Sequence, residues 1–407
     1  MKHFLGILVI LAATSVAAEE VETNNDFATA LVSGDLSIGL RPRYEFVDQD
    51  GFDEDANATT TRFRLNYKTA KWNNLSAFVE FDHVFNILLS DYNSGAGTSP
   101  NKGEYPVVAD PDGSDLNQFY FDYSSNPAWK WRLGRQRIVL DNQRFVGGVA
   151  WRQNEQTFDG FSLTNTSLRN STLFYSYIGY VRRIFGQTVA AGSNKVDTHL
   201  LNAKIKFGED WSLTPYAYLI DNEDIPTFST STFGARFAGN LPVGEGKITL
   251  LAELATQSDY GNAPVSFDAD YSHLTAAWVG ANGLSVGIGF ESLGGNSDPG
   301  EAFRTPLATL HAFNGWADKF LSTPDSGIDD SYVSFKMPLG KWNLTAVYHD
   351  FAAETGGGDY GTEIDLSAAR KLTDRYGLLL KGAFFSADSA STIPDTNKLW
   401  IMLTASY

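Results

Sequence analysis

The sequence contains no cysteine in its 407 residues. No disulfide framework holds the fold, even in an exported chain whose compartment would permit one. Beyond Ala18 no apolar run reaches the roughly eighteen residues that a membrane-crossing helix needs, so the rest of the chain has no helical span. Positive charge is scarce: 31 Lys and Arg stand against 48 Asp and Glu, a formal net charge of −17. That balance argues against nucleic acid as a partner. From about Gly34 onward no convincing helical periodicity occurs. What the chain does have is glycine, 37 residues of it, and an aromatic content of 14%. Abundant Gly and aromatics with an ordinary apolar fraction match a membrane β-barrel, polar inside and apolar outside.

The first residues set the expected compartment. Met1-Lys2-His3 is a short positive end, Phe4 to Ala13 is apolar, and Val16-Ala17-Ala18 are small residues before Glu19. This is the pattern of a secretory signal peptide cleaved after Ala18, since about ten apolar residues cannot span a bilayer. The domain reading is therefore a signal peptide over 1–18, a periplasmic N-terminal segment over 19–33, and an outer-membrane barrel over 34–407.

In that third region the dominant period is two. Leu36, Ile38, Leu40, Pro42, Tyr44 and Phe46 share one face of the first segment, and Arg41, Arg43 and Glu45 share the other. A soluble sandwich would bury the apolar face; a barrel turns it to lipid. Segments of this kind recur to Thr396–Tyr407 and predict about eighteen antiparallel strands, each long enough to cross a tilted outer-membrane wall. Short connections (Lys71–Asn73, Gly208–Asp210, Pro338–Gly340, Leu372–Asp374) alternate with long ones (Asp48–Thr59, Asn86–Ser114, Leu140–Glu155, Gly294–Gly327). That sorting fits short periplasmic turns and long external loops. The final strand alternates Leu399, Ile401, Leu403, Ala405 and ends on Tyr407, which resembles the C-terminal signal read by the barrel-assembly machinery. The expected location is the outer membrane of a Gram-negative cell, multi-pass, among lipid and lipopolysaccharide.

Projecting the alternation inward gives a charged lumen. Arg41, Arg43, Arg62, Arg64 and Lys68 form a basic cluster on the first two strands. Arg132, Lys204, Lys206, Arg236, Lys336 and Lys381 add to it. Glu45, Glu80, Asp82, Asp122, Glu253, Glu291, Glu363 and Asp365 share the inside. Arg facing acids across a pore creates a transverse field that can hold an anion and still let it leave. The plain alternative is that these pairs only staple the inner wall.

The stretch from Gly134 to Gly160, GRQRIVLDNQRFVGGVAWRQNEQTFDG, is too polar for a core and too rich in Phe and Trp for a linker. Trp131 and Leu133 share parity with Arg135 and Arg137, so the alternation is ambiguous there, and a bulge at Gly134 would change its phase. If the loop folds inward, Arg144 and Arg152 constrict the pore. If it is merely pinned to the wall, Asp141 and Asp159 are the expected partners.

This stretch resembles the outer-membrane alginate-export family. The matching residues are Gly134-Arg135-Gln136, then Arg144-Phe145 with Gly147, then Trp151-Arg152-Gln153, and Phe158-Asp159-Gly160. A second block, His311 to Leu321 with Gly315, Trp316 and Asp318, followed by Thr323-Pro324 and Gly327, is similar to the same family. The resemblance implies an eighteen-stranded monomeric barrel with an Arg-rich pore suited to an acidic polysaccharide.

Asp48, Asp50 and Asp53, and likewise Asp110, Asp112 and Asp115, read D-x-D-G-x-D in expected external loops. Carboxylates around a Gly turn suit a structural Ca²⁺, although the closing Glu of an EF-hand loop is missing from both. No other cofactor is expected. Gly283-Leu284-Ser285-Val286-Gly287 matches a nucleophile-elbow pattern but sits inside an alternating strand rather than a strand–turn–helix. His83, His199, His273, His311 and His349 lie at no metal-ligand spacing. With no Ser/His/acid set in view, the expectation is a passive channel, not an enzyme, for hydrophilic anionic solutes or an alginate-like polysaccharide. The alternative is a surface adhesin or outer-membrane enzyme built on a barrel with a plugged lumen.

Overall fold

The structure is a computed structural model that describes residues 26–407. The signal segment and its cleavage site lie outside those residues. A short helix, α1 (Phe27–Val32), comes first, capped by Asp26, whose carboxylate accepts from the Thr29 amide at 2.9 Å.

The strands follow in order. β1 (Asp35–Gln49), β2 (Ala56–Lys68), β3 (Leu75–Asp91), β4 (Gly113–Asn126), β5 (Trp129–Gln136) and β6 (Thr157–Asn165) make the first third. β7 (Ser171–Arg182), β8 (Ser193–Phe207), β9 (Trp211–Asn222), β10 (Thr230–Val243), β11 (Gly246–Asp259) and β12 (Asp268–Val279) make the second. β13 (Ser285–Leu293), β14 (Ile328–Leu339), β15 (Trp342–Ala352), β16 (Asp359–Lys371), β17 (Tyr376–Ala387) and β18 (Thr396–Ser406) complete it. All belong to one 18-stranded antiparallel sheet in which β1 pairs with both β2 and β18. The sheet is closed, so no edge strand leaves its amides unpaired in lipid.

Each predicted alternating segment is a strand, and the two faces divide as expected. Leu133, Leu254 and Ile288 stand out from the outer face, each more than 60% exposed. On a water-soluble protein so much exposed apolar surface would drive association; lipid solvates it. Glu45, Glu80, Asp82, Glu253, Glu291, Glu363 and Asp365 are buried on the inner face. Among the described residues no helix is long and apolar enough to cross a membrane.

Two features differ from the sequence reading. Alternation predicts a strand over Trp129–Val139, but β5 stops at Gln136, because Arg137 leaves the sheet to reach acids inside the barrel. The inside is also less polar than alternation implied. Phe145 of the β5–β6 connection packs inward on Tyr216 (ring centroids 5.3 Å apart), Tyr271 (5.1 Å) and Phe303 (5.9 Å). An apolar core thus sits within the barrel, between inward-folded loops and the wall.

Candidate channel constriction and mouth

Two long connections, 137–156 between β5 and β6 and 294–327 between β13 and β14, fold together inside the barrel. Val146 and Leu307 form a parallel bridge, Gly147 donates to the Leu307 carbonyl at 2.9 Å, and Thr309 donates to the Gln143 carbonyl at 3.0 Å. Gln156 closes the joint by donating to the carbonyls of Gly147 and Leu307, each at 3.0 Å. Backbone polar groups taken out of water need such partners, and here each loop supplies the other's.

The basic wall of β1 and β2 grips this unit. Arg41 donates to the Ala150 carbonyl at 2.7 Å, to Gln153 Oε1 at 3.0 Å and to the Arg152 carbonyl. Arg43, its side chain wholly buried, donates to the Trp151 carbonyl at 2.6 Å and pairs with Asp110 and, at 3.3 Å, with Glu45. Arg62 pairs with Glu155 at 3.2 Å; Arg64 takes Asp82 at 2.6 Å and Glu155 at 2.9 Å. Arg137 joins Glu155 and reaches Glu80 at 3.0 Å. Burial pushes the Glu155 carboxyl up, but Arg64, Arg137, Arg62 and Arg41 together hold it down at about 2. The four arginines expected to line an open lumen therefore bind the loop in this conformation.

A second wall, β13 to β16, is acidic and grips the other side. Arg144 lies 2.8 Å from Glu291 and donates to Asn314 at 2.8 Å. Arg152 bridges Glu45 (3.2 Å) and Asp318 (2.8 Å), and Lys398 reaches Asp318 at 2.9 Å. Asp141 and Asp159, the expected partners of these arginines, serve elsewhere: Asp141 accepts from Asn202, and Asp159 pairs with Arg135 and Arg182. The 294–327 loop meets this wall through its backbone. Trp316 N–H donates to Asp365 at 3.1 Å and Ala317 N–H to Glu363 at 2.7 Å. Gly315 makes this approach possible. Its φ is +82°, and a Cβ there would lie 2.4 Å from a Glu363 carboxylate oxygen.

Lys381 of β17 fastens both loops at once. Its ammonium sits 3.7 Å from the Trp316 ring centroid, 4.3 Å from Trp151 and 5.4 Å from Trp400. It donates to His311 Nε2 at 2.7 Å, while His311 Nδ1 lies 2.7 Å from Asp318 and the ring stacks on Trp151 at 4.5 Å. Burial pulls His311 down to about 3, so the neutral ring accepts from Lys381 and donates to Asp318. A cation held among three indoles is a strong clasp once water is removed.

The remaining predicted residues are dispersed. Arg132 pairs with Asp122 at 2.6 Å and Arg236 with Glu253 at 2.7 Å, both across neighbouring strands of the inner wall. Lys204 shares the inner face of β8 and is exposed near the periplasmic end. Gln136 points inward and accepts from Ser162 at 2.7 Å. Arg135 points outward with Trp131 and Leu133, because the pairing of β5 with β6 runs through Gly134 and Gly160 without a shift. Gly134 has φ +127° and no room for a Cβ, which would lie 2.3 Å from the Phe119 carbonyl, but the phase of the strand is unchanged. His83 is on the outer face beside Ser114, at 2.7 Å. His349 is buried against Asp330, at 2.8 Å. In the first acidic loop Asp48 accepts from Asn397, at 3.2 Å; Asp50 and Asp53 lie beyond the top of β1. In the second, Asp110 is committed to Arg43 and the Gln153 amide, Asp112 accepts from Asn86, and Asp115 accepts from Gln187. Among the described residues no group of three His, Cys, Asp or Glu side chains lies close enough to hold a metal.

Above the constriction the external loops enclose a cavity of about 470 Å³. Its lining carries Arg144, Arg152, Arg183, Arg304 and Lys398 against a single carboxylate, Asp318. Arg183, Arg304 and Lys398 were not among the sequence candidates. Lys398 was within reach, since it alternates with the lipid-facing Leu399 and Ile401; the two arginines sit in loops where no period marks a face.

Residues 33–275 match the model of the alginate export family. The chain belongs to that family. No curated protein matches it. Among solved structures it is similar to OccAB4 of Acinetobacter baumannii, 12% identical with a TM-score of 0.74, over 93% of this chain and 99% of that one. It is similar to OccK8 (OprE) of Pseudomonas aeruginosa, 15% identical with a TM-score of 0.71, over 93% and 99%. OpdK of P. aeruginosa, crystallised with vanillate, is 14% identical with a TM-score of 0.69, over 92% and 98%. At these identities the likeness is one of fold. This member of the alginate export family is an outer-membrane β-barrel of a Gram-negative cell, porin-like in build.

Proposed function

We propose that this family member is a passive channel for hydrophilic anionic solutes, and that an acidic, uronate-type polysaccharide is among them. The observation that carries this reading is the mouth, where five cationic side chains face one carboxylate. A field of one sign at an entrance concentrates oppositely charged solutes before they meet the constriction. Below it, a basic wall on β1 and β2 faces an acidic wall on β13 to β16, with the two inward loops between them. Movement of those loops sets the bore. The family supplies the polysaccharide part of the proposal, and the charge of the mouth supplies the anionic part.

The test is the reversal potential of single channels under a KCl gradient. Chloride preference is expected, and it should fall when Arg183 and Arg304 are both changed to Ser. Cation preference in the native protein would sink the anionic reading.

A further inference from the structure

The cations that line the mouth cavity are not alike. Arg144, Arg152 and Lys398 each have a carboxylate at ion-pair distance. Arg183 and Arg304 have none within 4 Å among the described residues. Arg183 donates to the Pro306 carbonyl at 3.1 Å, and Arg304 donates to the carbonyls of Thr227 and Gly300. A carbonyl fixes a guanidinium without neutralising it. Burial alone acts on Arg183 and pulls its pKa below the ordinary value, with no charged neighbour to restore it; Asp325 acts on Arg304 only through space. Removing charge from water without a partner is costly, so a site that keeps two such groups is poised for an incoming anion.

Much of the rest of the lining is apolar, beside Gln49, Gln156, Thr305, Ser322 and Thr323. Phe52, Phe185, Phe228, Phe320 and Leu321 face the same space, from four different connections. Hydroxyl groups placed against phenyl edges and aliphatic carbons would lose their water without replacement. Apolar walls with a few fixed polar groups are the composition of a small-molecule pocket, and about 470 Å³ falls within the ordinary range for one.

We propose that this cavity is a capture site for a small amphipathic carboxylate: a monoanion bound by Arg183 and Arg304, with an aromatic or aliphatic body against the phenyl groups. The proposal rests on the anion-channel reading above and narrows it at the entrance. A planar guanidinium takes a carboxylate in two parallel bonds, and both guanidinium groups line the same cavity as the phenyl groups. Capture at the mouth precedes the constriction, so a solute held here is delivered to the loop unit already oriented.

The experiment is calorimetric titration of the full chain in lipid nanodiscs, with empty nanodiscs as reference. The probes are 4-phenylbutyrate, the uncharged 4-phenylbutanol and the hydrophilic anion galacturonate. Phenylbutyrate is expected to bind at least about tenfold more tightly than either control, and Arg183→Ser with Arg304→Ser to weaken it about tenfold or more. Arg183→Lys, which keeps the charge, should lose less than Arg183→Ser. Circular dichroism checks that each variant keeps its sheet, since both positions are in external connections. Equal binding of galacturonate would make the site a hydrophilic anion site, and equal binding of phenylbutanol would make it an apolar cavity; either overturns the proposal, as would unchanged affinity in the double variant. Bilayer conductance on the same preparations separates the two readings. A protein that conducts with anion preference but does not bind phenylbutyrate loses only this inference. One that binds but never conducts loses the channel.

Discussion

At the scale of single residues, charge in this barrel is spent on holding loops in place. Arg43 is the clearest case, with its side chain fully buried between Asp110, Glu45 and the Trp151 carbonyl. Arg43→Ala leaves the buried Asp110 carboxylate without its cation, while Glu45 keeps Arg152, an effect on the order of 3–5 kcal/mol. We expect it to appear as faster proteolysis within 137–156 and noisier single-channel current, with the sheet signal in circular dichroism retained. Lys319 gives a pH dependence. It donates to Thr396 at 2.8 Å and to Gln49 at 3.3 Å, while burial and the nearby Lys398 pull it from 10.5 down to about 8. Below pH 8 the ammonium is charged both in the docked loop and in the released one, and the full desolvation cost falls on the docked state. Between about pH 8 and 10.5 the released state binds more protons, so docking strengthens as pH rises through that window. Cleavage of the 294–327 loop by a protease active across the range should slow over it, and Lys319→Met should remove the slope.

At the scale of elements, the strands were legible and the loop contacts were not. A strand states its two faces every other residue, so β1 to β18 followed from alternation, and in the structure Arg41, Arg43, Arg62 and Arg64 meet the inward loop. Their partners lie far away in sequence, on Gln153, Asp110 and Glu155, and no local pattern encodes those distances. The same gap explains why Asp141 and Asp159 were the expected partners of the loop arginines, whereas Arg152 takes Glu45 and Asp318 and Arg144 takes Glu291. Family resemblance marked Gly315, Trp316 and Asp318 without saying why they matter. The geometry answers that: Gly315 lets two successive amides reach Glu363 and Asp365, Trp316 covers Lys381, and Asp318 collects Arg152, Lys398 and His311. Gly315→Ala should push the loop off this wall and raise the open-channel current. Gly340→Ala is the matched control: it also has positive φ, +59°, but open space around its Cβ, in a turn at the far end of the barrel. It should cost about 1 kcal/mol of local strain and leave the current unchanged.

At the scale of the whole molecule, an acidic protein carries a cationic mouth, and net charge was a poor guide to it. Acids are spread over the inner wall and the loops, whereas five cations converge on one cavity, four from three connections and Lys398 from β18. The barrel supplies the rigid frame, closed by β1 on β18, and the two inward loops supply the part that can change. We infer that this loop unit, not the barrel wall, limits flow. Single-channel recording in planar bilayers tests it most directly, comparing the native chain with one lacking residues 142–154. Small unitary currents are expected from the native protein, and conductance several-fold larger, with less anion preference, once Arg144 and Arg152 are gone with the loop. Equal conductance in the two, or none in either, would contradict it.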